Sequence, residues 1–470
     1  MTKKSKRSVF DSFFLSEQDD DLLASGSRDP LGFEAIWVPA AHRVIPGLNT
    51  QSLGARNFVV AWMLHWIVDR WLEDVPRTKL EDIDVETLRK DCLVVAETTY
   101  VLAVREQYAT DGGRPVTLDR LYGRGGAYRA WNDEGLDAKI SPRSEHQILT
   151  GQYGSGHLGR YDAPLREFEI LRDVASSGDG TRVRLNGPLD EACAGDSWMR
   201  AVEDALGEWF DTLLEDEAPT FRFGDLEESS RRNLTRLRDY ESLVPLADTL
   251  CGPDGFEVET APGKPAHTPQ GLLWRQLGEG HSGTDTIYRH AIQAAEDGSD
   301  SQRRLKQVRT LEAFLARVEA QFDLHWQSNV TDEVAKHAYQ SLQDTNADGS
   351  DLLDGVEAFL RAENRTTSAH RLKRLREALS TNTRRDFRNW LIDDFHKSMM
   401  VEERNNNAWL ALDDGDIRVM TSGYAPGNPF SNGTVERWRK RDYYLGTLKT
   451  FYEEIHEARS LNDATEGDNR

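Results

Sequence analysis

Cysteine is scarce in this chain. Only Cys92, Cys193 and Cys251 are present, far apart and odd in number. A small secreted scaffold needs many paired cysteines to hold its fold, and a structural zinc site needs them at short, regular spacings. The sequence therefore excludes a disulfide framework and a cysteine-based zinc site.

Long hydrophobic runs are also missing. The basic start is followed by Val9–Leu15, which Asp11 interrupts, so no signal peptide is expected. The most apolar stretch is Phe58–Leu72, which is shorter than the roughly 20 residues of a spanning helix and contains His65 and Asp69. We interpret this stretch as a buried core helix and expect a cytoplasmic protein without membrane contact.

Positive charge is in short supply over the whole chain. The 470 residues include 58 Lys and Arg against 80 Asp and Glu, a net charge of −22, and only 13 of the cations are lysines. Such a balance excludes a polybasic protein, and the average surface should repel nucleic acid. Aromatic residues are plentiful enough for a large core, with 12 Trp, 13 Tyr and 17 Phe.

Common catalytic motifs are absent from the sequence: the nucleophile elbow, the phosphate loop ending in Gly-Lys-Ser/Thr and the paired histidines of zinc proteases. No catalytic residue can therefore be named, and no cofactor or metal is expected. Gly154–Gly159 has the spelling Gly-x-Gly-x-x-Gly. A dinucleotide site needs a buried strand before that motif, and Glu145–Gln152 is a poor one, so a glycine-rich loop is the interpretation.

Two acidic segments offer weaker metal chemistry. Asp344–Gly349 resembles the opening of a calcium loop, but position 12 is Gly355, where a bidentate acid is needed, so an acidic turn between helices is favoured. Asp393, Asp394 and Lys397 are ingredients of a nuclease site, although Asp393 and Lys397 have the spacing of an ordinary helical ion pair. His65 and Asp69 have the same spacing, which is typical of a satisfied core pair.

Hydrophobic periodicity predicts a mainly α, multi-helical fold of two or three subdomains, with a small β-hairpin near the C-terminus. The hairpin is expected at 409–420, around Asp413-Asp414-Gly415-Asp416. We predict irregular structure at 111–160, a long surface loop at 252–270 and a turn at 344–355. The predicted helices are about 50–71, 85–107, 164–174, 196–217, 226–250, 284–296, 300–327, 328–342, 356–362, 368–400 and 438–458.

Composition shifts suggest a division along the chain. Residues 1–30 form a polar lead-in, and a helical domain with Gly- and Arg-rich loops follows at 31–177. A break around 176–188 precedes a central helical domain at 189–400. Residues 401–470 complete the chain with the hairpin and a final helix.

Local charge is the most informative functional signal. The window 361–390 carries nine cations against three acids, a net +6 within a chain of −22. A second basic cluster lies among aromatic residues near the C-terminus. Arginine pairs well with phosphate because its planar fork donates two parallel hydrogen bonds. The candidate nucleic-acid-binding residues are Arg371, Lys373, Arg374, Arg376, Arg384, Arg385, Arg388, Arg437, Arg439, Lys440 and Arg441.

Short motifs at both ends of the chain resemble an uncharacterised prokaryotic family encoded in anti-phage defence clusters. The motifs are Leu31-Gly32, Pro46-Gly47, Thr50, Arg56 and Phe58, then Trp409, Asp414-Gly415, Ile417, Trp438, Tyr444 and Leu448. The resemblance implies a cytoplasmic accessory subunit encoded near helicases and phospholipase-D-like nucleases. It supplies no catalytic residues.

Three functional hypotheses remain open. The first is a non-enzymatic accessory subunit that binds DNA or a partner protein through a local Arg-rich face, formed by the candidate residues given above. The partner protein would be, for example, a helicase/ATPase or a nuclease. The second is a metal-dependent nuclease or hydrolase whose site assembles from distant residues. The third is a protein–protein scaffold without nucleic-acid contact.

Overall fold

The structure of the chain is a computed structural model. It describes residues 29, 31–48, 54–110, 122–149, 151–167, 171–173, 181–183, 197–216, 219–238, 257–261, 264–324, 331–403, 410–413, 416–419, 430–431, 434–435 and 443–468.

The fold is mainly α, as the hydrophobic periodicity predicts. Short 3₁₀ segments lie at Gly135–Asp137, Ser144–His146, Phe223–Asp225 and Arg236–Arg238, and π-helical segments lie at Leu391–His396 and Ser398–Glu403. The α-helices are α1 (Glu34–His42), α2 (Ala55–Asp74), α3 (Arg77–Leu80), α4 (Val85–Thr110), α5 (Arg124–Glu134), α6 (Gln152–Ser155), α7 (His157–Glu167), α8 (Ser197–Glu215), α9 (Glu228–Thr235), α10 (Pro269–Gly278), α11 (Thr284–Ala294), α12 (Asp300–Asp323), α13 (Asp332–Asp348), α14 (Ser350–Ala362), α15 (Thr366–Thr381), α16 (Arg384–Trp390) and α17 (Leu445–Asp468).

Strands within the described ranges are short and form two-stranded antiparallel pairs: β1–β4, β2–β3, β5–β6, β7–β8 and β9–β10. They are β1 (Lys139–Ile140), β2 (Leu171–Asp173), β3 (Thr181–Val183), β4 (Phe221–Arg222), β5 (Glu257–Ala261), β6 (Lys264–His267), β7 (Leu410–Asp413), β8 (Asp416–Val419), β9 (Phe430–Ser431) and β10 (Thr434–Val435). The β7–β8 pair confirms the hairpin predicted near the C-terminus, with Leu410 opposite Val419 and Asp413 opposite Asp416.

The described residues fall into two compact units, each built from segments distant in the sequence. The first unit combines residues of 47–255 with residues of 447–470, and the second combines residues up to 46 with residues of 256–446. The predicted break at 176–188 lies mostly outside the described residues, and the division of the chain at 177, 189 and 400 stays a prediction.

Helix α2 forms the centre of the first unit. It packs against α4 and α7, and nearly all of its residues are buried, including His65 and Asp69. This confirms the interpretation of Phe58–Leu72 as a core helix. The final helix, α17, docks on the start of α2 in this unit, where the Arg56 backbone amide donates to Glu454 at 3.1 Å.

Helix α12 has the same central place in the second unit. It packs against α11, α13 and α14, and its apolar residues are buried at the predicted 3–4 spacing. The buried apolar positions include Leu305, Val308, Leu311, Phe314, Leu315, Val318 and Phe322. Among the residues that the structure describes, none of the helices has the length and apolar character that crossing a membrane requires.

Several local predictions that were based on glycine and proline differ from the structure. The described part of the segment 111–160 contains three helices, α5, α6 and part of α7, and its glycines allow close packing; residues 111–121 lie outside the described residues. A Cβ on Gly126 would lie 1.9 Å from the Ile148 carbonyl oxygen. The helix predicted at 164–174 is confirmed for 164–167, which belong to α7, and is wrong for 171–173, which form β2.

Two further segments hold regular structure where breaks were predicted. The loop predicted at 252–270 contains the β5–β6 hairpin, and Pro269 takes the first position of α10, where its missing amide costs nothing. The turn predicted at 344–355 is helical on both sides of Gly349. A Cβ on Gly349 would lie 2.4 Å from Thr310, so the glycine serves a close approach to α12.

Candidate nucleic-acid interface

Seven of the eleven predicted nucleic-acid-binding residues lie on two consecutive helices, α15 and α16. The other four, Arg437, Arg439, Lys440 and Arg441, lie outside the described residues. The chain bends between the two helices at Asn382 and Thr383, where the Thr383 side chain caps α16 by accepting the Asp386 amide. The break divides the predicted face into separate groups.

Arg371 and Arg374 form the first group, on one flank of α15. The Arg371 guanidinium donates to the Gly32 carbonyl oxygen at 3.3 Å. The Arg374 guanidinium lies 5.8 Å from the ring centre of Trp390 and 6.0 Å from that of Phe395. Both side chains are half-buried and hold α15 to its neighbours within the second unit.

Arg376 and Lys373 are neutralised by carboxylates. Arg376 is 13 % exposed and pairs with Asp354 at 2.5 Å. It also donates to the Ser350 hydroxyl at 3.0 Å, which ties α15 to the start of α14. Lys373 lies 3.5 Å from Glu377, one turn away on its own helix. These two cations add little net positive charge to the surface.

Arg384, Arg385 and Arg388 form the remaining group on α16. At positions i, i+1 and i+4 they share one face of the helix, which approaches the first turn of α13. The Arg384 guanidinium contacts Asp332 at 2.5 Å, and Lys336 contacts the same carboxylate at 3.1 Å.

The α16 cluster, which we define as Arg384, Arg385, Arg388, Lys336 and Asp332, is positively charged. Arg384 and Lys336 contact its carboxylate, whereas neither Arg385 nor Arg388 has an ion pair within the described part of the chain. Glu333 and Asp386 lie in the first turns of α13 and α16, so the four cations have three acids on the same two helices. Burial and the neighbouring charges of Arg384 and Arg385 lower the pKa of Arg388. Its Nε is buried without a hydrogen-bond partner.

The neighbouring cations also affect the pKa of Asp332. Hydrogen bonds from Arg384 and Lys336 lower the pKa of its carboxyl group, which stays ionised as a result. Asp332 also opens α13, where the unpaired amides of the first turn favour negative charge. The arrangement can bind an oxyanion, because Arg385 and Arg388, which have no ion pair among the described residues, can still donate charge-assisted hydrogen bonds.

Counting charge along the sequence overestimated the size of the basic face. Asp332, Asp354 and Glu357 all lie outside the window 361–390, but the fold brings them to Arg384, Arg376 and Arg361. The exposed Arg361–Glu357 pair, at 2.8 Å, is a typical helical ion pair. The sequence also missed Lys336 as a member of the cluster, because it lies about fifty residues earlier.

The glycine motif at 154–159 packs helices together. Among the described residues, a 3₁₀ segment at Ser144–His146 lies directly before the motif where a buried strand would be needed, and the motif itself spans α6 and the start of α7. A Cβ on Gly156 would lie 2.3 Å from a carboxylate oxygen of Glu97, which is 1 % exposed. The glycines therefore bring α6 and α7 close to α4, and the geometry of a dinucleotide fingerprint is not present.

The acidic segments show no assembled metal site. Asp393 and Lys397 form the expected i, i+4 pair, at 3.5 Å, on π-helical backbone. Asp344 and Asp348 stand on a regular helix, one turn apart, and do not wrap a loop. In the described ranges, no three side chains of His, Cys, Asp and Glu are grouped so that they could hold a metal ion.

The first unit contains a buried cluster of charged side chains with one member that the sequence did not indicate. His65 and Asp69 are both buried, as expected of a core helix, and Arg89 of α4 contacts each of them. Arg89 donates to the two Asp69 oxygens at 2.7 and 3.0 Å and contacts His65 Nδ1 at 2.8 Å. Burial and the Arg89 charge lower the pKa of His65 well below its usual value.

The rings of His281 and His290 stack on each other, with ring centres 4.0 Å apart. Comparison with family models, with curated proteins and with solved structures finds no match to this chain. The resemblance drawn from the terminal motifs therefore stays a prediction.

Proposed function

We propose that this chain binds nucleic acid through the α16 cluster, as a non-enzymatic accessory subunit of a prokaryotic anti-phage defence or DNA-processing complex. The observation that carries the proposal is the incomplete neutralisation of the cluster, in a chain of net charge −22: Arg384 and Lys336 share the Asp332 carboxylate, and Arg385 and Arg388 have no ion pair within the described residues. An excess of this kind attracts an anionic partner to one place on a surface that otherwise repels it.

Nucleic acid is the favoured partner because the side chains are mainly arginine. Arg385 is exposed and Arg388 is half-buried, and neither has an ion pair among the described residues, so no carboxylate there competes with a phosphate for either guanidinium group. Each phosphate contact of this type releases counterions and makes the affinity depend on salt. The predicted partner proteins, a helicase/ATPase or a nuclease, rest on the family resemblance alone.

Fluorescence anisotropy with a labelled oligonucleotide tests the nucleic-acid proposal. Arg385→Gln and Arg388→Gln should each weaken binding by about three- to tenfold at low salt, which corresponds to the loss of about 0.6–1.4 kcal/mol per phosphate contact. Arg361→Gln is the matched control, since it removes the same charge from an exposed site in the same unit that Glu357 already balances.

The outcomes separate the hypotheses. Equal losses in all three variants would mean that only overall charge matters, and the assignment of the site would be wrong. Undetectable binding of both DNA and RNA by the wild-type chain would refute the proposal. Co-purification with a neighbour-encoded ATPase in that case would support the scaffold hypothesis.

A further inference from the structure

A cleft lies in the second unit among the helices α11, α12, α13 and α14. Its cavity has a volume of about 370 Å³, which is within the range of roughly 300–1,000 Å³ that small-molecule sites occupy. Two cations, Lys306 and Arg309, line the cleft from α12, and two acids, Asp344 and Asp348, line it from α13. Hydroxyl groups and apolar side chains complete the lining, so the cleft has one basic wall and one acidic wall.

The basic wall has a cation that no carboxylate neutralises. The Lys306 ammonium group is half-buried, and it donates at 2.7 Å to the neutral amide oxygen of Gln302. Within the described residues Lys306 has no ion pair. Arg309 pairs with Asp285 of α11, at 2.8 and 3.3 Å, so its charge is already balanced. A partly dehydrated ammonium group without a counter-charge is unfavourable, so this wall favours an anionic group beside Lys306.

The acidic wall has the opposite preference. Asp344 accepts a hydrogen bond from the Gln340 side chain at 2.8 Å, and Asp348 has no hydrogen bond within the described ranges. Both acids stand near the C-terminus of α13, and the last turn of this helix contains no basic residue. Carboxylates at that end of a helix face the negative pole of the helix dipole. This wall therefore favours a cationic group.

The charges of the two walls do not neutralise each other. In the part of the chain that the structure describes, no ion pair joins the cations of α12 to the acids of α13, although all four line one cavity. A cavity of about 300 Å³ in the first unit provides the contrast. There Glu106 pairs with Arg231 at 2.8 Å and Glu228 pairs with Arg232 at 2.7 Å, so its charges are satisfied without a ligand.

We propose that the cleft of the second unit binds a free α-amino acid with an aliphatic side chain. The carboxylate of the ligand pairs with Lys306, and its ammonium group pairs with Asp348. One zwitterion then neutralises both walls, which a simple anion or cation cannot do. The aliphatic side chain contacts the apolar part of the lining, which consists of Ile292, Ala313 and Leu352. The proposal is independent of nucleic-acid binding, because the cleft lies at the opposite end of α13 from the α16 cluster.

Isothermal titration calorimetry of the full chain with leucine, isoleucine and valine tests the proposal. We expect at least one of them to bind saturably, with a Kd of about 1 mM or lower. Two analogues of the tightest binder then probe its charges: the amide lacks the carboxylate, and the N-acetyl form lacks the ammonium group. Each analogue should bind about tenfold or more weakly than the amino acid, since each leaves one wall without its counter-charge.

Substitutions in the two walls assign each charge to its residue. Lys306→Met should weaken binding of the amino acid by about tenfold without weakening that of the amide, and Asp348→Asn should do the same without weakening that of the N-acetyl form. Lys373→Met is the matched control for the first, because Lys373 is exposed on α15 and pairs with Glu377. Asp351→Asn is the control for the second, since Asp351 stands on α14 and does not line the cleft.

Each other outcome contradicts a stated part of the proposal. If none of the three amino acids binds at about 10 mM, the cleft is not an amino-acid site. If the amide and the N-acetyl form bind as tightly as the amino acid, recognition of a zwitterion is wrong. If the control variants lose as much affinity as Lys306→Met and Asp348→Asn, the ligand binds elsewhere. None of these results bears on nucleic-acid binding by the α16 cluster.

Discussion

Removing the charge of Asp69 should destabilise the first unit severely. Asp69 and Arg89 are each 1 % exposed, and two hydrogen bonds of 2.7 and 3.0 Å join them. Asp69→Asn keeps the shape of the side chain but leaves the Arg89 guanidinium buried without a counter-charge. Breaking a buried pair in this way costs about 3–5 kcal/mol.

Thermal unfolding followed by circular dichroism measures the effect. In a unit of this size, 1 kcal/mol shifts the Tm by about 2–4 °C, so Asp69→Asn should lower the transition of the first unit by about 6–20 °C. The control is Asp162→Asn, which breaks the Asp162–Arg166 pair of the same unit. The Arg166 Nε and Asp162 Oδ2 atoms lie 2.8 Å apart, a distance similar to that in the buried pair, but both side chains are 36 % exposed.

The control should lose less than about 1 kcal/mol, as exposed pairs do. Replacing both members of the buried pair, as Asp69→Leu with Arg89→Met, should cost less than Asp69→Asn alone, because no charge is left buried. If Asp69→Asn were as stable as Asp162→Asn, the reasoning that burial makes this pair sensitive would be refuted.

Three further predictions concern the first unit. Gly156→Ala should cost about 1–3 kcal/mol, because its Cβ would meet the buried Glu97 carboxylate at 2.3 Å, whereas Gly154→Ala enters open space and should change the Tm little. Burial lowers the pKa of His65 well below 6.5, so the unfolded chain takes up a proton that the folded chain excludes. Stability should therefore fall as the pH drops below about 6.5, by at most about 1.4 kcal/mol per pH unit, and His65→Gln should remove that slope. Burial raises the pKa of Asp91 to about 6, so its contribution to stability is present below pH 3.8 and lost as the pH rises through 6. Asp91→Asn should raise the Tm at pH 7.5 and leave it unchanged at pH 4.

Periodicity predicted the elements whose sequence matches one simple environment. The helix α12, with its apolar stripe, and the helix α2, with its long apolar stretch, are both core helices, because burial of apolar side chains determines where they lie. The β7–β8 hairpin was predictable for a similar reason, since a short polar turn separates two apolar segments.

Glycine was the residue that sequence reasoning interpreted least well. It stands both where a chain turns and where another group approaches the backbone closely. Gly126, Gly156 and Gly349 all belong to the second case: a carbonyl oxygen approaches Gly126, and side chains approach Gly156 and Gly349. The approaching atom comes from a residue distant in the sequence at Gly126 and Gly156, so no local pattern could distinguish the two uses. The prediction of irregular structure at 111–160 failed for that reason.

The candidate site was predictable in composition and not in extent. Arginine-rich helices were visible in the sequence, but the acids that neutralise Arg376 and Arg384 come from α14 and α13. Which cations are left without a neutralising carboxylate therefore depends on the fold and cannot be seen in the sequence. Lys336 joins the cluster for the same reason, because one turn of α13 places it beside Asp332.

The salt dependence of oligonucleotide binding tests the central claim most directly. For a single strand, log Kobs falls with log salt by about 0.7 per phosphate that the protein contacts. The double variant Arg385→Gln, Arg388→Gln should therefore reduce the slope by about 1.4, while Arg361→Gln keeps the wild-type slope. A double variant with the slope of the wild type would contradict the claim that the α16 cluster holds the phosphate.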